Sequence, residues 1–313
     1  MGFRNFYQIV NKYFNLNTWL LLTITCIVGL KPISAQTLSK IKVDIVQPEE
    51  SLLWKIEGKG LSKPSYLFGT IHLIPEDKYF FTKEMENAFA QSDQVIFEID
   101  MNVMNDMSQM AAILVKMRMP DSVSLQDLIS PEDYSLLQEK AKDSGMPLFM
   151  FENIKPLFLQ TLLDDVNSQK SQMASYEINL AQKASNTGKG IGGLETIDDQ
   201  MAAIDAVPLK EQAAMLMESL KSPDSQNIDT LIQLYEQQKI QELHDMIESS
   251  FAQSKDNYMD SFLKNRNVKW IDNMKRLMSE KSTFFAVGAG HLAGKSGVIN
   301  LLREKGYKVT AIK

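Results

Sequence analysis

An α/β fold (α+β-like in its segregation), with a small split β-sheet core and large helical insertions, follows from three observations. An apolar strand pattern runs into a Gly-x-x-His end twice, at "SYLFGTIHLI" (65–74) and "TFFAVGAGHL" (283–292). Each of these is followed by a helical pattern and then a further strand. Between the two copies the sequence is rich in Gln, Glu, Lys, Met and Leu and carries few strand signals.

Taken in order, the first 35 residues stand apart. They carry Arg4, Lys12 and Lys31 and no acidic residue, and "TWLLLTITCIVGL" (18–30) has the length of a signal-peptide apolar region, short for a membrane span. We expect residues 1–35 to be a secretory signal cleaved after Ala35, or else an uncleaved anchor. In either case the domain is exported, to the periplasm, the cell envelope or the medium. Cys26, the only cysteine, lies inside the apolar run. Thr25 before it and "IVGL" after it do not suit lipidation. A mature chain without cysteine has no disulfide, no thiol nucleophile and no zinc–thiolate site.

A polar link (36–50) leads to a single expected domain over 51–313. "SLLWKIEGKG" and "SKPSYLFGTIH" read as two strands joined by a Gly-Lys-Gly turn. Residues 82–93 form a helix with Thr82 as N-cap and Met85, Ala88 and Phe89 on one face. "QVIFEID" (94–100) is the next strand, which makes 65–100 the size of a βαβ unit. Helical insertions span about 101–185 and 196–280, interrupted by "TGKGIGGLET" (187–196), which reads as another core strand. At the end, "KSGVINLLREKG" is a helix stopped by Gly306, and "YKVTAI" closes the sheet. The first and last elements are expected to meet in space.

Charge narrows the function. With 33 Lys+Arg against 39 Asp+Glu, the chain has no basic excess for nucleic acid, and no nucleic-acid partner is expected. Ligands of open α/β sheets bind beyond the carboxyl ends of the strands, where both Gly-x-x-His stretches fall. His72 and His291 then project into the mouth of the sheet, behind the turn glycines Gly69, Gly288 and Gly290. The third histidine, His244, sits among polar residues on a helix and is assigned no chemistry.

Glu98 and Asp100 lie at the end of a strand, and Glu195 follows "IGGL". A carboxylate in such a place is costly to bury unless it is hydrogen-bonded, paired or metal-bound. Two imidazoles with one or two carboxylates suit a divalent ion with open water positions, and hence hydrolysis. Glu195 can act as base on the water. On "KNRNVKW" (264–270), Arg266 and Asn267 can bind a substrate carboxylate or steady a site glutamate. No His-Glu-x-x-His helix and no Gly-x-Ser-x-Gly elbow is present. The spaced methionines Met101, Met104, Met107, Met110, Met117 and Met119 read either as an adaptable apolar face or as thioethers for Cu(I).

"YLFGTIHLIPED", "VIFEID", "GLETIDDQMAAID", "RNVKWIDNM" and "FFAVGAGHLAGKSGVINLLREKGYKV" together resemble the TraB/GumN family, which includes the animal TIKI proteins. The resemblance runs from about residue 50 to the C-terminus. It implies a fold related to erythromycin-esterase and ChaN-like proteins. It also implies two Gly-x-x-His motifs and a glutamate as the site, matching Gly69/His72, Gly288/His291 and Glu98. Glu195 and the Arg266–Asn267 pair fall in family-like segments. On this basis His72, Glu98 and His291 are expected to hold a divalent metal (Mn, Co or Zn). Glu195 is expected to be base or outer carboxylate, and Arg266 to orient substrate or a carboxylate.

The activity implied is a metal-dependent peptidase acting on peptides or proteins. The alternatives are peptide capture without turnover, as in pheromone shutdown by TraB and PrgY members, and haem or iron binding. One departure stands out: "SYEINLAQKA" has Tyr176-Glu177 where a Gly-Ile-Asp-like helix start is expected.

Overall fold

A computed structural model describes residues 49–168, 172–221, 225–251 and 258–313. The expected signal segment 1–35, Cys26, and nearly all of the link at 36–50 lie outside the described residues. The strands are β1 (Leu53–Glu57), β2 (Ser65–Thr70), β3 (Ile74–Pro75), β4 (Gln94–Ile99), β5 (Met173–Ala174), β6 (Gly190–Glu195), β7 (Thr283–Gly288) and β8 (Lys308–Ile312). The helices begin with α1 (Lys83–Gln91), α2 (Met107–Lys116), α3 (Pro131–Asp143), α4 (Pro156–Ser168) and α5 (Tyr176–Asn186). They continue with α6 (Ile197–Asp205), α7 (Leu209–Lys221), α8 (Ser225–Glu236), α9 (Ile240–Phe251), α10 (Asn265–Glu280) and α11 (Val298–Glu304).

Six strands form a mixed sheet in the order β6-β4-β7-β2-β1-β8. β6, β4, β7 and β2 run parallel, and β1 is antiparallel to both of its neighbours. The turn from β1 to β2 is the expected Gly-Lys-Gly, with Gly58, Lys59 and Gly60 all at positive φ. β8 pairs with β1, Trp54 opposite Ala311, so the first and last strands do meet.

β2 and β7 are central and nearly wholly buried, as a parallel strand covered on both faces requires. Phe68, Phe81, Phe89, Tyr176 and Phe284 pack on one face with ring centroids 5.5–6.5 Å apart. Each such ring, once buried, contributes about 1.5–3 kcal/mol relative to leaving it exposed. A second apolar cluster lies among α2, α3, α4, α6 and α7, away from the sheet's main core.

In this order β7 enters between β2 and β4, and β2 and β1 lie between β7 and β8. Two sequence expectations need correction. "GIGGLE" is an edge strand and not a core one, because only β4 pairs with it and its three glycines offer little to bury. Among the described side chains, which leave out that of Met104, the methionines do not share a face that could gather a copper ion. Met101 packs in the sheet core, Met110, Met117 and Met119 pack in the second cluster, and Met107 is exposed.

Candidate active site

Register brings the two Gly-x-x-His motifs together. β2 and β7 are parallel neighbours with Gly69 opposite Val287 and Thr70 opposite Gly288, so both chains leave the sheet at the same edge. Gly69 lies under the turn of the second motif. A Cβ there would stand 3.1 Å from the Ala289 Cα, closer than ordinary packing tolerates. The Tyr235 hydroxyl of α8 donates to the Gly69 carbonyl at 2.9 Å.

β4 lies on the other side of β7 and ends at the same edge with Glu98, which is buried. The Gly288 N–H donates to Glu98 Oε1 at 2.8 Å, and Arg266 Nη2 donates to Glu98 Oε2 at 2.6 Å. Gln200 on α6 adds a donor 3.4 Å from Glu98 Oε2. Burial works against ionisation of Glu98, but the Arg266 guanidinium, His291, His72 and the Gly288 N–H outweigh it and hold the carboxyl at about 2.

Arg266 is buried at the start of α10, directly after a π-helical turn at Asp260–Lys264. Its Nε donates to both oxygens of Glu195, at 2.9 and 3.2 Å, and its Nη2 reaches Glu195 Oε1 at 2.5 Å. The Trp270 indole N–H donates to Glu195 Oε2 at 2.9 Å. Burial raises the Glu195 carboxyl and the guanidinium opposes that, while the same two carboxylates keep Arg266 firmly protonated. Glu195 is therefore not the free carboxylate that a base on water would need. Both of its oxygens are committed to Arg266 and Trp270.

His291 is held through Nδ1. Asn267 donates from Nδ2 to the His291 and Ser296 carbonyls, at 3.3 and 2.8 Å, which leaves its Oδ1 as an acceptor 2.6 Å from His291 Nδ1. Nδ1 must carry the proton, so Nε2 presents a lone pair. That lone pair faces Arg266 Nη1 at 3.3 Å and lies 3.7 Å from Glu98 Oε1. Burial, with Arg266 adding to it against the pull of Glu98, drops the His291 imidazole to about 3 and keeps it neutral. The Trp270 ring covers it at 4.5 Å.

His72 sits across the mouth, with Nδ1 3.1 Å from Glu177 Oε1. Burial opposes its protonation, but Glu177 outweighs burial and raises the imidazole above its ordinary value. Of the remaining expected site residues, Asp100 turns away to cap the 3-10 turn at Met101–Asn105, accepting from the Asn102 N–H at 2.9 Å. Gly290 serves packing: a Cβ there would meet Ile247 Cδ1 at 2.5 Å. His244, which drew no assignment from sequence, has Nδ1 3.3 Å from the Gly290 carbonyl and braces the second motif.

Sequence reasoning missed Glu177, Gln200 and Trp270. Gln200 did leave a signal, since it shares the buried face of α6 with Ile204 one turn on. Glu177 left only its departure from the expected start of that helix, because an acidic residue in a first helical turn otherwise reads as an ordinary complement to the helix dipole.

Among the described residues, no group of three or more His, Cys, Asp or Glu side chains is gathered as a ready metal-ligand set. The chemistry of the donors nonetheless fits a divalent ion. Glu98 is ionised, and both motif histidines are tied through Nδ1 to an oxygen, as metal-binding imidazoles usually are. Two ligand atoms on one tetrahedral ion stand about 3.4 Å apart, close to the 3.7 Å between Glu98 Oε1 and His291 Nε2.

The TraB/PrgY/gumN family model matches residues 52–311 of this chain. Among curated proteins, the chain is 24% identical to Metalloprotease TIKI1 of Homo sapiens, over 93% of this chain and 68% of that protein. It is 26% identical to Metalloprotease TIKI1 of Xenopus tropicalis, over 83% of this chain and 61% of the relative. It is 21% identical to a Metalloprotease TIKI homolog of Nematostella vectensis, over 84% and 67%. The chain thus spans 61–68% of the length of these relatives. No solved structure matches it.

Proposed function

The chain belongs to the TraB/PrgY/gumN family, and on that premise we propose that it is a metal-dependent hydrolase of peptides or proteins. The observation that carries this reading is the edge shared by the two Gly-x-x-His strands, with an ionised Glu98 Oε1 3.7 Å from the unprotonated Nε2 of His291. The relatives' names, metalloproteases, support the reaction class. We include in the same reading a fold relationship to erythromycin-esterase and ChaN-like proteins, and export directed by residues 1–35.

His72, Glu98 and His291 would hold the metal, with Mn, Co or Zn as candidates. A divalent ion in such a set lowers the pKa of a water it holds and polarises a carbonyl. The protein's own contribution is positional. Asn267 fixes the ring of His291, the Gly288 N–H and Gln200 fix Glu98, and Glu195 with Trp270 fixes Arg266. Arg266 keeps Glu98 ionised by bridging it to Glu195. Glu195 serves as the outer carboxylate that anchors Arg266.

A second reading, capture of a peptide without cleavage, is favoured by one contact. Arg266 Nη1 points at the His291 Nε2 lone pair that a metal would need. The two readings separate on quenched-fluorescent peptides incubated with the full-length protein and Mn²⁺ or Co²⁺. Hydrolysis expects cleavage that disappears on exhaustive chelation and in a His72→Ala/His291→Ala double variant. Peptide bound and recovered intact, or cleavage unaffected by either treatment, overturns it.

A further inference from the structure

Glu177 was singled out by sequence only as a departure at the start of a helix, and its surroundings give it a role. Its side chain is buried beside the first motif. Oε1 accepts from the Thr70 hydroxyl at 2.6 Å and faces His72 Nδ1 at 3.1 Å, and the Ser175 hydroxyl donates to Oε2 at 3.3 Å. Thr70 and His72 both belong to the first Gly-x-x-His stretch. A small antiparallel ladder brings Glu177 to them: β3 pairs with β5, Ile74 opposite Ala174, and the Glu76 N–H donates to the Gln172 carbonyl at 2.9 Å. Two residues before that ladder lies His72, and three residues after it lies Glu177.

A carboxylate as buried as that of Glu177 is expensive unless its hydrogen bonds are complete. Here they are completed chiefly by the motif itself. The arrangement matches that of the second motif, where Asn267 Oδ1 holds His291 through Nδ1. We propose that Glu177 is a positioning residue for His72: it fixes the Nδ1–H tautomer and the ring's aim, so that Nε2 is the nitrogen carrying the lone pair toward the site. Thr70 in turn fixes Glu177. This assignment rests on the metal-hydrolase reading for its purpose, and on hydrogen-bond geometry alone for its existence.

The test uses imidazole ¹⁵N spectra of the full-length, metal-free protein, followed upward in pH until the His72 signals stop changing, so that its raised imidazole is read in the neutral form. With three histidines in the chain, a His244→Gln variant and a His291→Gln variant complete the assignment. The wild type should show His72 as the Nδ1–H tautomer. Glu177→Gln should move it toward Nε2–H while the His244 and His291 signals stay in place, and Glu177→Asp should retain more of the wild-type signature than the amide does. A wild-type His72 in the Nε2–H form overturns the proposal whether or not any variant folds, and so does a His72 signal unmoved in a folded Glu177→Gln.

A Mn²⁺ titration followed by calorimetry supplies the second readout, in which Glu177→Gln should weaken binding about 10–100-fold. Unchanged Mn²⁺ affinity in that variant also overturns the positioning role. Absence of Mn²⁺ binding by the wild type counts against the metal reading instead, and the spectra still decide the role of Glu177.

Discussion

Arg266 sits between two carboxylates, Glu98 and Glu195, and beside a neutral imidazole, His291. Replacing it with Met leaves two buried carboxylates without their counter-ion, a change that typically costs about 3–5 kcal/mol. Urea denaturation of Arg266→Met should show a loss of that order, and a loss near zero would mean that the pair is not buried as described. Acid stability follows from the same cluster. His291 titrates near 3 when folded and near its ordinary value when unfolded, so the unfolded chain takes up the proton first. Folding stability should therefore fall as pH drops from about 6.5 toward 3. Glu98, held at about 2, adds a loss below its ordinary value of 4.5. Burial of Glu195, which raises its carboxyl, works the other way above that value. The raised His72 contributes stability that is present below its ordinary value and lost as pH rises through the folded one. A His291→Asn variant, followed by urea midpoints across pH 7.5 to 4.5, should show a flatter decline than wild type.

At this scale the sequence spoke through position. A histidine or glutamate at the end of an apolar strand invites a chemical explanation, and His72, His291 and Glu98 were visible for that reason. Glu177 and Trp270 occupy unremarkable helical positions. Only the register of distant strands brings them to the site.

Elements place these side chains through close backbone approach. At Gly193 on β6, an added Cβ would lie 2.8 Å from the Ile99 carbonyl carbon and press on the Asp100 backbone of the neighbouring strand. At Gly290 the obstacle is the tip of the Ile247 side chain, which can turn aside. Gly193→Ala should therefore destabilise by about 1–3 kcal/mol and shift the strand end that carries Glu195, while Gly290→Ala costs less. Thermal melts of the two variants compare them directly, and equal melting temperatures would contradict the packing described at Gly193. Strand identities were legible from apolar runs bounded by Gly and Pro, and so was the helix capped by Thr82. Strand order was not. Local pattern says that β2 and β4 belong to one sheet, but the entry of β7 between them depends on a partner more than 180 residues away in sequence.

Across the whole molecule, the sheet is closed by its ends. β8 covers β1, Ser51 donates to the Ile312 carbonyl at 2.6 Å, and Arg303 stacks over Trp54. A chain ending at Gly306 should leave β1 paired with β2 alone and lose cooperative unfolding, read as a broadened urea transition. A transition as sharp as that of the full chain would contradict this role. The α/β class was legible because the apolar periodicity of strands survives in single segments. The second apolar cluster and the two-residue ladder that delivers Glu177 were not, since neither has a local pattern long enough to read.

The central claim is that the two Gly-x-x-His motifs and Glu98 form one metal-binding centre. Equilibrium dialysis of the full-length protein against Mn²⁺, with bound metal quantified per chain, tests it most directly. The account predicts one ion per wild-type chain and none in His291→Ala or Glu98→Gln. A wild type that binds no ion, or variants that bind as the wild type does, would contradict it.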